Sequence, residues 1–549
     1  MATDDRAGSG RRRGSSPVPR TGADLGRRRR ISRRRFLAGA AAAPAGLWLS
    51  KAVPAAAATG RSYGPDSACD LPHDVLVRIW RGWRADRSGR IVLVPHGLDY
   101  LAGGGLVTHS TPWGYTQHVP MCWYGPGIKP VGIVNRPVTS ADIAPTMARL
   151  LGFSDFRAPD GRDMAEVALR GGASKPKLIV VAVWDGGGRN VLDLWPDDWP
   201  NLRGLVTRGA WYEHATVGSN PSNTAPVHAT IGTGAFPRTH GCVDILIRFP
   251  DGRIGDPYSR GPDQAILVPA LAERYLAAVG EDAVVAEFGT VPWHVGMVGR
   301  GSTTGPQPVA VCKKLGANET TAPTWGLPRV IAKHYRFPEY VNDLPRLDDP
   351  RAPYFRYADR IDGTIDGKWR GHVIRNQLGG FHTPARIPFQ ERAVEEVIRR
   401  EELGTHRETD LLFLNFKLID EVGHLYYADS PEMSDSVRAQ DRCLARFVAF
   451  LNNNLGSEWV LLVTSDHGPH DPPEGGRLLS ARPGPAQVPG REPVRSGRGR
   501  GPADSADPTS LDGHRHGGAA REPRHGLPAR TESGVRRAAA SPALDTLGR

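Results

Sequence analysis

Residues 178–188 read LIVVAVWDGGG, and this stretch decides the fold. Seven apolar residues in a row, Leu178 to Trp184, leave no polar face, as in a strand covered on both sides in the middle of a parallel sheet. The run ends at Asp185, with Gly186, Gly187 and Gly188 behind it. An acidic residue at the carboxyl end of such a strand, followed by glycines, lies where open α/β sheets keep their active sites. Two later runs repeat the arrangement. Residues 411–416 lead into KLIDEVGH at 417–424, and Trp459–Thr464 leads into SDHG at 465–468. Amphipathic patterns at 139–151, 391–402 and 433–451 predict helices between the strands. The expected fold is α/β: a mostly parallel central sheet flanked by helices, with a cap or insertion region.

Working outward, residues 220–234 read NPSNTAPVHATIGTG. A Pro/Ser/Asn-rich entry leads to Thr224, and small and β-branched residues leave as a helix. A hydroxyl on the first turn of a helix lies beside unpaired backbone N–H groups that favour negative charge, which suits a nucleophile that attacks phosphorus. Read alone, Thr224 is equally an N-cap. The strand ends supply what decides between the two, because Asp185, Asp420, His424, Asp466 and His467 are carboxylates and imidazoles of the kind that bind zinc.

The chain has 549 residues, a net charge of +12, 23% charged and 39% hydrophobic residues, a globular composition. Residues 1–35 carry a net +9 and residues 477–549 a net +6, so the body between them is slightly acidic. A nucleic-acid-binding body is therefore not supported. The amino end reads Ser32-Arg33-Arg34-Arg35-Phe36-Leu37, a twin-arginine export motif, followed by an apolar Ala-rich run and a small-residue cleavage site near Ala58. Pro44 and Lys51 break that run, so no stable membrane span is expected. The five cysteines are scattered, with no CxxC, and build no metal site.

The organisation expected is a signal peptide at 1–58, a segment at 66–170, a first core half at 175–250, a cap at 251–390, a second core half at 391–476 and a tail at 477–549. Residues 74–83 and 89–95 alternate like a pair of strands. The tail lacks Phe, Trp, Tyr, Ile and Lys, cannot bury a core, and is expected to be disordered. It also reads like a GC-rich gene translated in a shifted frame, which the other frames of the gene would test.

Together, VWDGGG (183–188), NTAPVHATIGTG (223–234), FPRTHG (236–241), IDEVGH (419–424) and TSDHG (464–468) resemble the alkaline phosphatase superfamily. The resemblance is nearest to its type I phosphodiesterase/nucleotide pyrophosphatase branch and the related bacterial phosphate-irrepressible alkaline phosphatases. It implies two zinc ions flanking a Thr nucleophile. One would be held by Asp185, Thr224, Asp466 and His467, the other by Asp420, His424 and one more His. THSTPWGYTQHVPMCWYGPGIKP (108–130) and SADIAPTMARLLG (140–152) are similar to a segment that in the family follows the SDHG strand. Here it precedes Asp185, which implies a circular permutation, makes 66–170 the counterpart of the family's carboxyl-terminal part, and offers His118 as the third ligand.

The family's phosphate-holding Asn and Lys-x-Arg signatures have no counterpart near Ile245 or along 288–293, which leaves His109, Arg300 and Lys417 as candidates for another phosphate clamp. His228 fits a structural helix position. The sulfatase nucleophile motif is missing around Thr224. The function implied is an exported, zinc-dependent phosphoester hydrolase, a phosphodiesterase or phosphatase, that meets the twin-arginine export machinery and acts on a small-molecule phosphoester. The alternatives are a phosphoryl or phosphoethanolamine transferase, or an inactive metal-binding envelope protein.

Overall fold

The computed structural model describes residues 70–95, 100–102, 108–314, 324–470 and 478–480. Their organising element is a nine-stranded sheet. In chain order its strands are β1 (Met121–Tyr124), β2 (Gly132–Val134), β3 (Leu178–Trp184), β4 (Ala210–Tyr212), β5 (Val285–Phe288), β6 (Val309–Lys314), β7 (Thr324–Gly326), β8 (Asp410–Phe416) and β9 (Trp459–Thr464). Across the sheet they run β7-β6-β5-β8-β3-β9-β1-β4-β2. β1 lies antiparallel between β9 and β4, β7 is antiparallel to β6 at the edge, and the other pairings are parallel. The fold is the mostly parallel α/β arrangement that the sequence predicts.

β3, β8 and β9 are buried along their whole length, as continuous apolar runs require. Apolar clusters cover both faces of the sheet. Register then places the site. Trp184 pairs with Phe416 and Val183 with Thr464, so the residues that follow these strands leave the sheet along one edge.

The helices that matter to that edge are α1 (His73–Gly82), α2 (Ile143–Leu151), α3 (Thr224–Thr233), α4 (Leu271–Val279), α5 (Arg386–Arg400), α6 (Leu418–Tyr426) and α7 (Pro431–Leu455). α3 is buried at all ten positions, as an apolar helix without a polar face should be. It packs on the 3-10 helix Pro292–Val298 so closely that a Cβ on Gly232 would fall 2.4 Å from the Met297 carbonyl oxygen. Among the described residues no helix is long and apolar enough to cross a membrane.

Two expectations change. Residues 74–83 form α1, not a strand, and 89–95 form no strand. The i, i+4 series Val75, Ile79, Trp83 and the Asp74–Arg78 pair at 2.9 Å suit a helix, which wins over the alternation read from the sequence. The stretch 251–390 is less a cap than expected, because β5, β6 and β7 extend the main sheet and α4 packs with it. Residues 108–152 are part of the same body, with β1 hydrogen-bonded to β9. The signal-peptide reading and nearly all of the tail reading fall outside the described residues.

Candidate active site

The site is built where β3, β8 and β9 end. Asp185 follows β3, its backbone N–H donating to the Phe416 carbonyl at 3.0 Å. Gly186 has φ 72°, and a Cβ there would lie 2.7 Å from the Asp420 Cα, so only glycine lets β3 and α6 approach this closely. The Gly186 N–H donates to Asp466 Oδ1 at 3.1 Å. Thr224 opens α3 behind Asn223, whose extended backbone (φ −140°, ψ 170°) makes it the N-cap position. Pro226 falls in the first turn, where its missing N–H costs nothing. Arg386 donates to Glu421 Oε2 at 2.8 Å and to Thr290, bracing α6 from α5.

Lys417 Nζ lies at the centre. It donates to Asp420 Oδ2 at 2.7 Å and to both Asp185 oxygens at 3.1 Å, and it is 3.4 Å from Thr224 Oγ1. Burial pushes the Asp185 carboxyl up, but the Lys417 ammonium together with His294 and His467 outweighs it and holds the group well below the usual range. Asp420 is held down in the same way. Asp466, with Asp185 beside it, is instead pushed well up by burial. Burial holds His467 down to about 4, against the pull of Asp420 and Asp185.

Two sets of donor atoms gather within 4.8 Å of one another: Asp185, Asp466 and His467, and His109, Asp420 and His467. His424 Nε2 joins the second from 3.4 Å to Asp420 Oδ1. Asp466 Oδ2 and both ring nitrogens of His467 are buried and have no hydrogen-bond partner among the described residues. Buried polar atoms left in that state are costly, and here they face the other donors.

A third gathering, Asp185, His228 and His294, is of a different kind. Asn415 Nδ2 donates to Asp185 Oδ2 and to His228 Nε2, both at 2.9 Å. His228 Nδ1 then carries its proton to the Thr224 carbonyl at 2.8 Å. His294 Nδ1 accepts from the Thr290 N–H at 2.8 Å, which leaves Nε2–H facing Asp185 Oδ2 at 3.4 Å. Both His228 nitrogens and His294 Nδ1 are committed, and His294 Nε2 faces Asp185, so these residues position that carboxylate.

Of the residues singled out in the sequence, the structure brings together Asp185, Thr224, Asp420, His424, Asp466 and His467. His118 is not among them. It is exposed at the end of a four-residue helical turn, Gly114–Gln117, and its Nδ1 is 2.9 Å from the Gly114 carbonyl. His109, offered only as a clamp candidate, takes the place expected of His118. Its Nε2 is 3.5 Å from Asp420 Oδ1 and its ring stacks on His467 at 3.7 Å. Arg300 is also elsewhere, paired with Glu273 at 2.8 Å. Lys417 is inside. His294 and Asn415 went unremarked in the sequence, and only the Asn directly before Phe416 and Lys417 offered a signal.

Fold and site define a mixed α/β protein with a carboxylate–imidazole centre around a helix-terminal hydroxyl at the carboxyl edge of its sheet. The chain belongs to the type I phosphodiesterase / nucleotide pyrophosphatase family, whose sequence profile matches residues 178–476, more than half of its length. It is similar to alkaline phosphatase PhoK of Sphingomonas sp, with 25% identity over 337 residues, 56% of this chain and 57% of that protein. It is likewise similar to alkaline phosphatase PhoD of Zymomonas mobilis subsp. mobilis, with 31% identity over 297 residues, 50% of this chain and 49% of that one. The chain thus spans about half the length of the curated relatives it matches. The solved structure of wild type alkaline phosphatase PafA overlays with a TM-score of 0.40 at 17% identity, covering 54% of this chain and 63% of that one.

Proposed function

We propose that the chain is a zinc-dependent phosphoester hydrolase that acts through Thr224. One observation carries the reading: the Thr224 hydroxyl opens a buried helix beside three carboxylates and a His467 ring whose nitrogens are unsatisfied. The donor set fits zinc, with Asp185, Asp466, His467 and Thr224 on one side and Asp420, His424 and His109 on the other. Zinc bound there would lower the pKa of a coordinated hydroxyl and neutralise charge on phosphoryl oxygens.

The chain's own residues supply the rest. Thr224 Oγ1 gives up its proton to solvent and attacks phosphorus in line. The bond to the ester oxygen breaks, an alcohol leaves with a proton from water, and a phosphothreonine remains. Attack of water on that phosphorus returns Thr224 and releases phosphate, or a monoester if the substrate was a diester. The N-terminal N–H groups of α3 face the negative charge that develops. Asn415, His294 and His228 hold Asp185 and the first turn of α3 in place. The family match and the alkaline phosphatase relatives support the reaction class. The twin-arginine motif at 32–37 supports export of the folded protein.

The test is purified protein with zinc, offered p-nitrophenyl phosphate and bis-p-nitrophenyl phosphate, with Thr224→Ala as control. Release of p-nitrophenol from at least one ester, lost in the variant, is expected. Zinc-loaded protein that cleaves neither ester would contradict the reading.

A further inference from the structure

We propose that Lys417 is a catalytic residue that contacts the transferring phosphoryl group and matches the centre to a doubly charged one. The proposal rests on the phosphoester reading of the same site and adds a choice of substrate charge.

Placement is the first argument. Lys417 directly follows β8 and precedes Asp420 by three residues, one turn of α6, so strand and helix together fix where its stem starts. The residue is only 8% exposed, and Nζ reaches Thr224 Oγ1 at 3.4 Å. A cation at that distance from the attacking oxygen is within reach of a phosphoryl oxygen on the phosphorus that Thr224 attacks.

Division of labour is the second. His109, His424 and His467 all face Asp420 Oδ1, at 3.5, 3.4 and 3.9 Å, whereas Lys417 bonds Oδ2 at 2.7 Å. One oxygen is left to the imidazole side and the other holds the ammonium. At Asp420, Lys417 therefore need not leave for Oδ1 to serve as a ligand.

Charge is the third. Asp185, Asp420 and Asp466 face Lys417 as the cation among the described side chains at the centre. Two divalent ions would leave this set with two net positive charges before Thr224 loses its proton. A phosphate monoester dianion cancels them, and a diester monoanion does not. Without Lys417 a single positive charge would remain, which suits the monoanion.

The test uses zinc-loaded full-length Thr224→Ala protein, which cannot turn over, titrated calorimetrically at pH 8 with inorganic phosphate and with dimethyl phosphate. Lys417→Met is expected to weaken phosphate binding roughly 10- to 100-fold, as loss of a charged hydrogen bond does. Dimethyl phosphate should weaken less than about threefold, because it lacks the second charge. Lys417→Arg should retain most of the phosphate affinity. Zinc content and melting are measured alongside, and Lys417→Gln carries the same comparison if Lys417→Met loses zinc. Unchanged phosphate affinity, equal weakening of both ligands, or loss of zinc in all three variants would overturn the proposal. Phosphate binding that depends on Lys417 in a protein that hydrolyses no ester would leave this proposal standing and defeat the hydrolase reading. Hydrolysis with a Lys417-independent phosphate affinity would do the reverse.

Discussion

The two carboxylates on either side of Lys417 are set in different ways. Asp185 follows a central strand, is wholly buried, and is aimed by Asn415 and His294, which are themselves tied to His228 and the Thr290 backbone. Asp420 rides on α6 and meets His109 and His424, whose side chains are 12% and 36% exposed. One half of the centre is locked into the core by uncharged hydrogen bonds, and the other opens towards solvent. The locked half is where Thr224 lies, so precision is concentrated around the proposed nucleophile. In the proposed reaction the open half is the face from which a substrate and its leaving group would come and go.

Perturbing the nucleophile should have the largest effect. Thr224→Ala is expected to cut kcat for p-nitrophenyl phosphate by at least about a thousandfold while zinc is retained in part. On the open half, His109→Ala should lower activity or zinc affinity by at least the ~10- to 100-fold that loss of a supporting partner costs. His118→Ala should change stability by less than about 0.5 kcal/mol and leave zinc binding alone. Equal losses from the two His variants would erase the distinction drawn between them. On the locked half, Asn415→Ala removes one donor from Asp185 Oδ2 and leaves His228 Nε2 without its partner. It should cost roughly 10- to 100-fold in activity and about 1–3 kcal/mol in stability, both readable by kinetics and denaturant melts. An Asn415 variant milder than His118→Ala would show that Asp185 needs no such support.

A further effect concerns pH and lies behind α3. His240 is buried and neutral, accepting from the Cys242 N–H on Nδ1 at 3.1 Å, with Nε2 3.1 Å from Thr230 Oγ1. Burial holds its pKa down to about 3, against 6.5 in the unfolded chain. Between those values the unfolded state binds the extra proton. Its contribution is therefore fully present above pH 6.5 and is lost as pH falls towards 3. Stability should decline by up to about 1.4 kcal/mol per pH unit in that window. His240→Gln should flatten the slope by that amount, read from urea melts between pH 4 and pH 7.

Much of the locked half was legible in the sequence. Leu178–Trp184, the run before Lys417 and Trp459–Thr464 are too apolar to be anything but buried strands, and the acidic residues follow them directly. Register then brings Asp185, Lys417 and Asp466 to one edge with little further choice. The open half was harder. His109 and His118 lie in one polar loop, and residue type does not separate them. The difference is tertiary: His118 folds back on Gly114 while His109 stacks on His467. Asn415 and His294 were missed because their role lies in whom they touch, across 230 residues in one case. The short strands β5 and β6 were hidden by the Pro/Gly-rich sequence around them, and α1 by an apolar pattern that satisfies two periods at once.

The most direct measurement is acid quenching of the zinc-loaded protein during turnover of p-nitrophenyl phosphate, followed by peptide mass spectrometry. A phosphate on Thr224, absent from Thr224→Ala, is the result predicted. Turnover with phosphate on another residue, or turnover that survives Thr224→Ala, would contradict it.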